Sequence, residues 1–380
     1  MRSIRSRDLS GSSRRRDGIK TLALTALVLV LVVAGAARGV GCSPLNCSPS
    51  QFALGGGTML GVRTTLDSPL RVIDLRTGHT KWWLPAGIVS GSTLVHQDGS
   101  LITWWNAARG ARTASVVAQE HGAFALTGVS QDGGRAVLAR TQSRSTTFLI
   151  VSPGAQRMVK LGGRNWQFDA LNGHSLFLIH QLRAGYTVRL YDLAANKLQA
   201  RALKDPRDGA LIQGLPTQRV SSPNGRYLFT LYIDGNGNAM IHELDTVAGA
   251  AHCIDLAGKG DFNSAMTWAA VPSRDNSTLW AVSVGYGRIV AIDVASHVVR
   301  RHASFYSIPF NANAGVAALA PDGRSIAVTD AQHTWFASLK TLAVKRGPNH
   351  VAIALAFSPD GHRVWGIGLR SKVFSLRVNR

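Results

Sequence analysis

From residue 51 onward apolar and polar positions alternate in short runs, and Gly, Asp, Asn and Pro stand between the runs. Period-two alternation of this kind predicts strands, and no stripe of 3.6-residue period is long enough to compete. One order recurs: an apolar strand, a turn of Ser-Pro-Asp-Gly type, an alternating strand, a second hairpin, a strand closing near Asp-Leu and a short basic outer strand. The clearest copy runs from Val351 to Gly368, Val-Ala-Ile-Ala-Leu-Ala-Phe-Ser-Pro-Asp-Gly-His-Arg-Val-Trp-Gly-Ile-Gly, and ends in Val373-Phe-Ser-Leu. Further copies of the turn stand at Ala320-Pro-Asp-Gly, Ser222-Pro-Asn-Gly, Gln131-Asp-Gly and Gln97-Asp-Gly, with weaker spellings at Asn172-Gly and Asp275-Asn. Pro presets φ, Asp or Asn caps its own backbone and Gly accepts the positive φ of a tight reversal. Copies of the third strand read Leu70-Arg-Val-Ile-Asp-Leu, Val188-Arg-Leu-Tyr-Asp-Leu, Met240-Ile-His-Glu-Leu, Ile289-Val-Ala-Ile-Asp-Val and Thr334-Trp-Phe-Ala-Ser-Leu.

Turns counted at Gly56, Asp98, Asp132, Asn172, Asn224, Asp275, Asp322 and Asp360 recur every 43 residues or so, about the period of four-stranded propeller blades. The expected fold is therefore all-β, a β-propeller of seven or eight four-stranded blades, with eight preferred, over residues 51–380. Two details are expected to be irregular. The stretch from Gly87 to His121 is short for four strands, and the last blade stops after its third strand, so that Gln51–Leu54 would supply the fourth and close the ring by pairing. The Ser-Pro-Asp-Gly copies resemble the WD40-like repeats of TolB-type propellers, and Thr93-Leu-Val-His-Gln-Asp-Gly-Ser-Leu-Ile-Thr-Trp-Trp resembles a quinoprotein-type repeat. The Gly-His and Trp-Asp pair of true WD40 blades is absent from the sequence.

The N-terminus sets an expected address. Residues 1–20 form a basic tail around Arg14-Arg15-Arg16, and residues 21–37 form an uncharged run of Leu, Val, Ala, Thr and Gly. Such a run is at the short edge of a spanning helix, and the basic flank places the downstream chain outside the cytoplasm. Residues 38–50 read as a linker. Retention as a signal anchor, cleavage near Ala34-Gly35-Ala36 and lipidation at Cys42 compete as fates of this segment, in that order. Membrane tethering is the expectation, with secretion after cleavage as its alternative.

Composition adds a field and removes several chemistries. The 380 residues carry a formal +21, and residues 42–380 still hold 34 basic against 19 acidic side chains, a net +15. That body favours anionic neighbours. Nucleic acid is disfavoured, because no basic run interleaves with aromatics. Cys42 and Cys47 could close a small loop in an oxidising compartment, and Cys253 alternates as a strand residue. No metalloprotease helix, Cys-x-x-Cys, nucleophile elbow or phosphate-binding loop is spelled anywhere in the chain.

Candidate site residues are few. Trp82-Trp83 and Trp104-Trp105 are doublets whose members point to opposite faces of a strand. Trp83 and Trp105 are nominated as outward platforms for a ring or a peptide, against a reading as blade-packing aromatics. Asp234, Asn236 and Asn238 place oxygens at alternate positions, which would suit a hard cation such as calcium; the competing reading is a hairpin turn. Asp74, Asp192 and Asp293 recur at one position of the repeat and read as turn-stabilising carboxylates. The functional expectation is a binding scaffold without catalytic residues, taking an envelope protein, a peptide or an anionic polymer. The alternative is an enzyme of quinoprotein or lactonase-like type with a small-molecule site in the central channel.

Overall fold

A computed structural model describes residues 50–378 apart from 66, 120–122, 207–210, 259–260, 307–314, 330–332, 351 and 369–371. The tail, apolar run and most of the linker expected at residues 1–49 lie outside the described residues, as do Cys42 and Cys47. Among the described residues no helix is long and apolar enough to cross a membrane.

Eight antiparallel sheets follow one another along the chain. Blade 1 holds β1–β4 (Ser50–Leu54, Met59–Arg63, Leu70–Asp74, Thr80–Leu84) and blade 2 holds β5–β8 (Ile88–Ser90, Thr93–Asp98, Leu101–Asn106, Ala111–Val117). Blade 3 holds β9–β12 (Ala125–Val129, Ala136–Thr141, Ser145–Ser152, Ala155–Gly162) and blade 4 holds β13–β16 (Trp166–Asn172, Ser175–Leu182, Gly185–Asp192, Lys197–Leu198). Blade 5 holds β17–β20 (Leu215–Ser221, Tyr227–Ile233, Ala239–Asp245, Ala250–Leu256), and a one-turn helix, Phe262–Ala265, leads to blade 6 with β21–β24 (Trp268–Pro272, Thr278–Ser283, Arg288–Asp293, Val298–Ser304). Blade 7 holds β25–β28 (Val316–Leu319, Ser325–Thr329, Thr334–Ser338, Val344–Arg346) and blade 8 the three strands β29–β31 (Ala354–Phe357, Arg363–Ile367, Val373–Arg377).

The core is not one mass but eight seams, one between each blade and the next. In β18, Leu228 and Tyr232 face blade 4, while Phe229, Leu231 and Ile233 between them face blade 6. This is why central strands are apolar without interruption yet still obey the period of two. The last seam joins Leu60, Val62, Ile73 and Leu75 of blade 1 to Ala354, Trp365 and Ile367 of blade 8, so the ring is closed. Eight is the blade count.

First strands lie innermost. Gln218 of β17 accepts from Ala270 N of β21 at 2.7 Å, and Gln51 of β1 accepts from Leu355 N of β29 while donating to Ala317 O of β25, both at 2.7 Å. Because the strands are antiparallel, the 1–2 and 3–4 hairpins share one end of the ring. The 2–3 hairpins and the connections between blades share the other.

Three expectations drawn from the sequence are corrected. The stretch after Gly87 does hold four strands, made possible by a first strand of three residues. The turn Asp98-Gly99 lies in the 2–3 hairpin of blade 2; its 1–2 hairpin is the plainer Ser90-Gly91-Ser92. Ser50–Leu54 pairs with β2 as the first strand of blade 1 and does not complete blade 8. A hairpin closed by three glycines, Gly55–Gly57, costs far less loop entropy than a ladder to a strand 300 residues away.

Candidate binding surface and buried seams

The spelled turns behave as local capping devices. Ser358 Oγ donates to Asp360 Oδ1 at 2.5 Å and accepts from Arg363 N at 3.0 Å, while the same Oδ1 accepts from His362 N at 3.0 Å. Ser130 with Asp132, Ser222 with Asn224 and Ser273 with Asp275 repeat the arrangement. These hydrogen bonds hold the Asp132, Asp275 and Asp360 carboxyls below their ordinary range. Asp74, Asp192 and Asp293 cap the turn after the third strand, accepting from Arg76 N, Ala194 N and Ser296 N at 2.8 Å each.

Of the nominated residues, Trp83 is 59% exposed on β4, with the Arg71 guanidinium 5.6 Å from its ring centroid. Its neighbour Trp82 donates to Ala107 O of blade 2 at 2.9 Å. Trp105 packs into the seam between blades 1 and 2 and donates to Thr103 Oγ1 at 3.0 Å. Trp104, one residue earlier, faces the opposite seam, between blades 2 and 3. Asp234 Oδ1 accepts from Asn236 N and Asn238 N at 2.8 Å, and Oδ2 accepts from Asn238 Nδ2 at 2.7 Å, an Asx turn within the 2–3 hairpin of blade 5. Those bonds lower the Asp234 pKa, the Asn238 side chain foremost. Among the described residues no three His, Cys, Asp or Glu side chains converge as metal ligands.

The seam between blades 4 and 5 holds a buried polar cluster that sequence spacing does not reveal. A bulge in β13 sets Asp169 out of register, and its Oδ1 lies 2.6 Å from Arg219 Nη1 of β17, with both side chains 6% exposed. The hydroxyls of Tyr186 and Tyr232 hydrogen bond beside them, and His242 meets the Tyr232 ring edge-on. Burial, with the Asp169 charge, drives the Tyr186 hydroxyl well above its usual range, and burial pushes His242 down to about 4. At neutral pH the imidazole is uncharged and the phenol protonated, while the carboxylate and guanidinium neutralise each other. The two charges pair within the cluster, although the buried Arg219 Nε has no hydrogen-bond partner. Asp169 and Arg219 are also the ionisable side chains of the described first strands, and they face each other.

At the next seam Glu243 of β19 is fully buried. Neither of its oxygens accepts a hydrogen bond, and Oε1 stands 3.3 Å from His297 Nδ1. The His297 ring stacks on His252 with centroids 3.5 Å apart. Burial first, then the Asp245 charge, pushes the Glu243 carboxyl up to about 8 against the pull of Arg226.

The outer strands form the perimeter of the ring. They carry Lys81, Arg112, Arg157, Lys160, Lys197, Arg300, Arg301, Lys345 and Arg346, and Arg377 continues the series on β31. Against these stands the carboxylate of Asp255. All ten cations are exposed except Arg157, which is half-buried.

The Dos1 propeller superposes with a TM-score of 0.52 at 8% identity, covering 88% of this chain and 94% of that one. The two share a fold. Hydrazine synthase of Kuenenia stuttgartiensis gives 0.49 at 13% identity over 90% and 98% of the two chains. The Cps50 (Swd1) propeller domain of Myceliophteria thermophila gives 0.45 at 12% identity over 88% and 97%. No family model and no curated protein matches the chain.

Proposed function

We propose that this propeller is a binding module that takes an anionic partner, an acidic protein or peptide or an anionic envelope polymer, on its basic perimeter. The observation that carries the reading is the charge of the outer strands, ten exposed or half-exposed Lys and Arg against one Asp. Such a band raises the encounter rate with anions from every side and makes the association sensitive to salt. The basic tail and apolar run at residues 1–37 support an extracytoplasmic, membrane-tethered placement. Further support for a non-catalytic role comes from the ionisable groups of the described first strands, which neutralise each other in a buried pair.

The test uses the full chain on immobilised poly-glutamate and on an isolated anionic polysaccharide. Retention at about 50 mM salt that falls at least tenfold by about 500 mM, and falls equally in a Lys160→Glu, Lys345→Glu double variant at low salt, is the expected result. Absence of retention on both supports at low salt, or retention untouched by the double variant, overturns the proposal.

A further inference from the structure

Seven of the eight third strands are covered on both sides. β3, β7, β11, β15, β19, β23 and β27 each lie between a second and a fourth strand, and three or more residues of each are buried. Blade 4 keeps to this rule although its fourth strand is two residues long, because the chain beyond it returns to bridge β15, Leu203 at Val188 and Ile212 at Tyr186. Blade 8 is one strand short. Among the described residues nothing pairs with the outer edge of β31, and Leu376 is its single buried residue, with Val373 and Phe374 left half-buried.

The register fixes what that edge displays. β30 and β31 pair without a bulge, from Ile367 opposite Val373 to Arg363 opposite Arg377. Just beyond the two ends, Gly368 N donates to Lys372 O and Val378 N donates to His362 O, both at 2.9 Å. Lys372, Phe374, Leu376 and Val378 therefore turn their backbone groups towards β30, while Val373, Ser375 and Arg377 turn N–H and C=O outwards. Side chains alternate too, with Phe374 packed towards blade 7 and Val373 towards blade 1. Arg363 and Arg377, both exposed, stand directly opposite each other with no carboxylate partner among the described residues, a like-charged pair that disfavours the bare edge. Asp360, the acidic residue between Ala354 and Arg377, is held in its own turn by Ser358 and His362.

We propose that blade 8 takes an extended acidic segment of a partner protein as its fourth strand. The outward N–H and C=O groups of Val373, Ser375 and Arg377 form half of a ladder, and a strand laid antiparallel, as in the other blades, supplies the other half. The residue placed opposite Arg377 lies on the same face of the sheet as both guanidinium groups, so Asp or Glu there sets an opposite charge against the pair. Apolar residues opposite Val373 and Phe374 cover the side chains that a fourth strand covers elsewhere. A second copy of the chain is a poorer occupant, since pairing β31 with itself brings together two bodies of net +15 over residues 42–380 and supplies no acid. The acidity of the strand rests on the attraction of the perimeter for anions proposed as this molecule's function, whereas the ladder does not.

The experiment is titration of the full chain into a fluorescein-labelled peptide, Ser-Glu-Thr-Thr-Val-Ile-Ser with blocked ends, whose Glu falls opposite Arg377 and whose Ile falls opposite Val373. Saturable binding with a Kd below about 1 mM is expected. Methylation of the backbone nitrogens of Glu, the second Thr and Ile, which face β31, should weaken it roughly tenfold or more with the charge unchanged. Ser375→Pro, which removes an outward N–H and leaves the β30 ladder intact, should do the same at an unchanged Tm. Arg377→Glu should weaken the peptide about threefold and bind its Lys-for-Glu counterpart better than the wild-type chain does. Absence of saturation, equal binding of the methylated peptide, or equal affinity of the wild-type chain for the Lys-for-Glu peptide overturns the proposal; so does a chain that is dimeric at micromolar concentration and becomes monomeric on Ser375→Pro. Failure of the perimeter itself shows separately, as lost retention on poly-glutamate, where methylation of this peptide plays no part.

Discussion

At the scale of single residues, a buried carboxyl makes the sharpest prediction. Glu243 stays protonated in the folded chain until about pH 8, whereas its unfolded carboxyl ionises near 4.5. Its contribution to stability is therefore complete below about pH 4.5 and is lost as pH rises towards 8, by an amount on the order of a few kcal/mol. Glu243→Gln should have the wild-type Tm near pH 4.5 and a higher one at pH 8. Because His252 and His297 lie beside it, the difference between the two proteins, and not the raw profile, isolates the carboxyl. Parallel Tm profiles would show that the carboxyl is not held neutral. Such residues were not legible in sequence. Met240-Ile-His-Glu-Leu reads as an ordinary alternating strand, and what buries Glu243 comes from the next blade, more than 50 residues on.

At the scale of elements, the turn is the unit that sequence spells best, since all its hydrogen bonds fall within five residues. The third strands expected at Leu70, Val188, Met240, Ile289 and Thr334 are all present. Blade 2 misled because its Asp-Gly spelling had moved one hairpin along, while Ser90-Gly91-Ser92 carries no Asp to announce it. The turn of blade 7 has lost one component. Ala320 stands where four other blades have Ser, and Asp322 keeps its bond from Arg324 N at 3.0 Å. Ala320→Ser should restore a hydroxyl that accepts from Ser325 N and donates to Asp322, adding about 0.5–1 kcal/mol and raising Tm by a degree or more. Ser222→Ala should cost about 1 kcal/mol in the same denaturation assay. A null effect in both would mean that the hydroxyls contribute nothing net.

At the scale of the whole molecule, the seam between blades 8 and 1 decides whether the ring stays shut. Trp365 donates to Leu75 O at 2.7 Å across it, and its ring lies over Gly78. Gly78 has φ +74, and a Cβ there would stand 2.2 Å from the indole, so no other residue fits. Gly78→Ala and Trp365→Ala should each destabilise by several kcal/mol, with hydrogen exchange accelerating first in β1–β3 and β29–β31. Exchange that accelerates uniformly would show that the seam is not the weak point. Repetition along the chain foretold the ring and favoured eight blades over seven, but the manner of closure rests on pairs such as Gly78 and Trp365, 287 positions apart, which no local pattern records. The closure also has a consequence for how such a chain can change over generations. Because no described strand is lent across the junction, each blade, as far as its strands are described, is one uninterrupted stretch of the chain. Duplication or loss of a single stretch inserts or removes a whole blade without cutting a ladder, and what must then be re-matched is only the packing of its two faces.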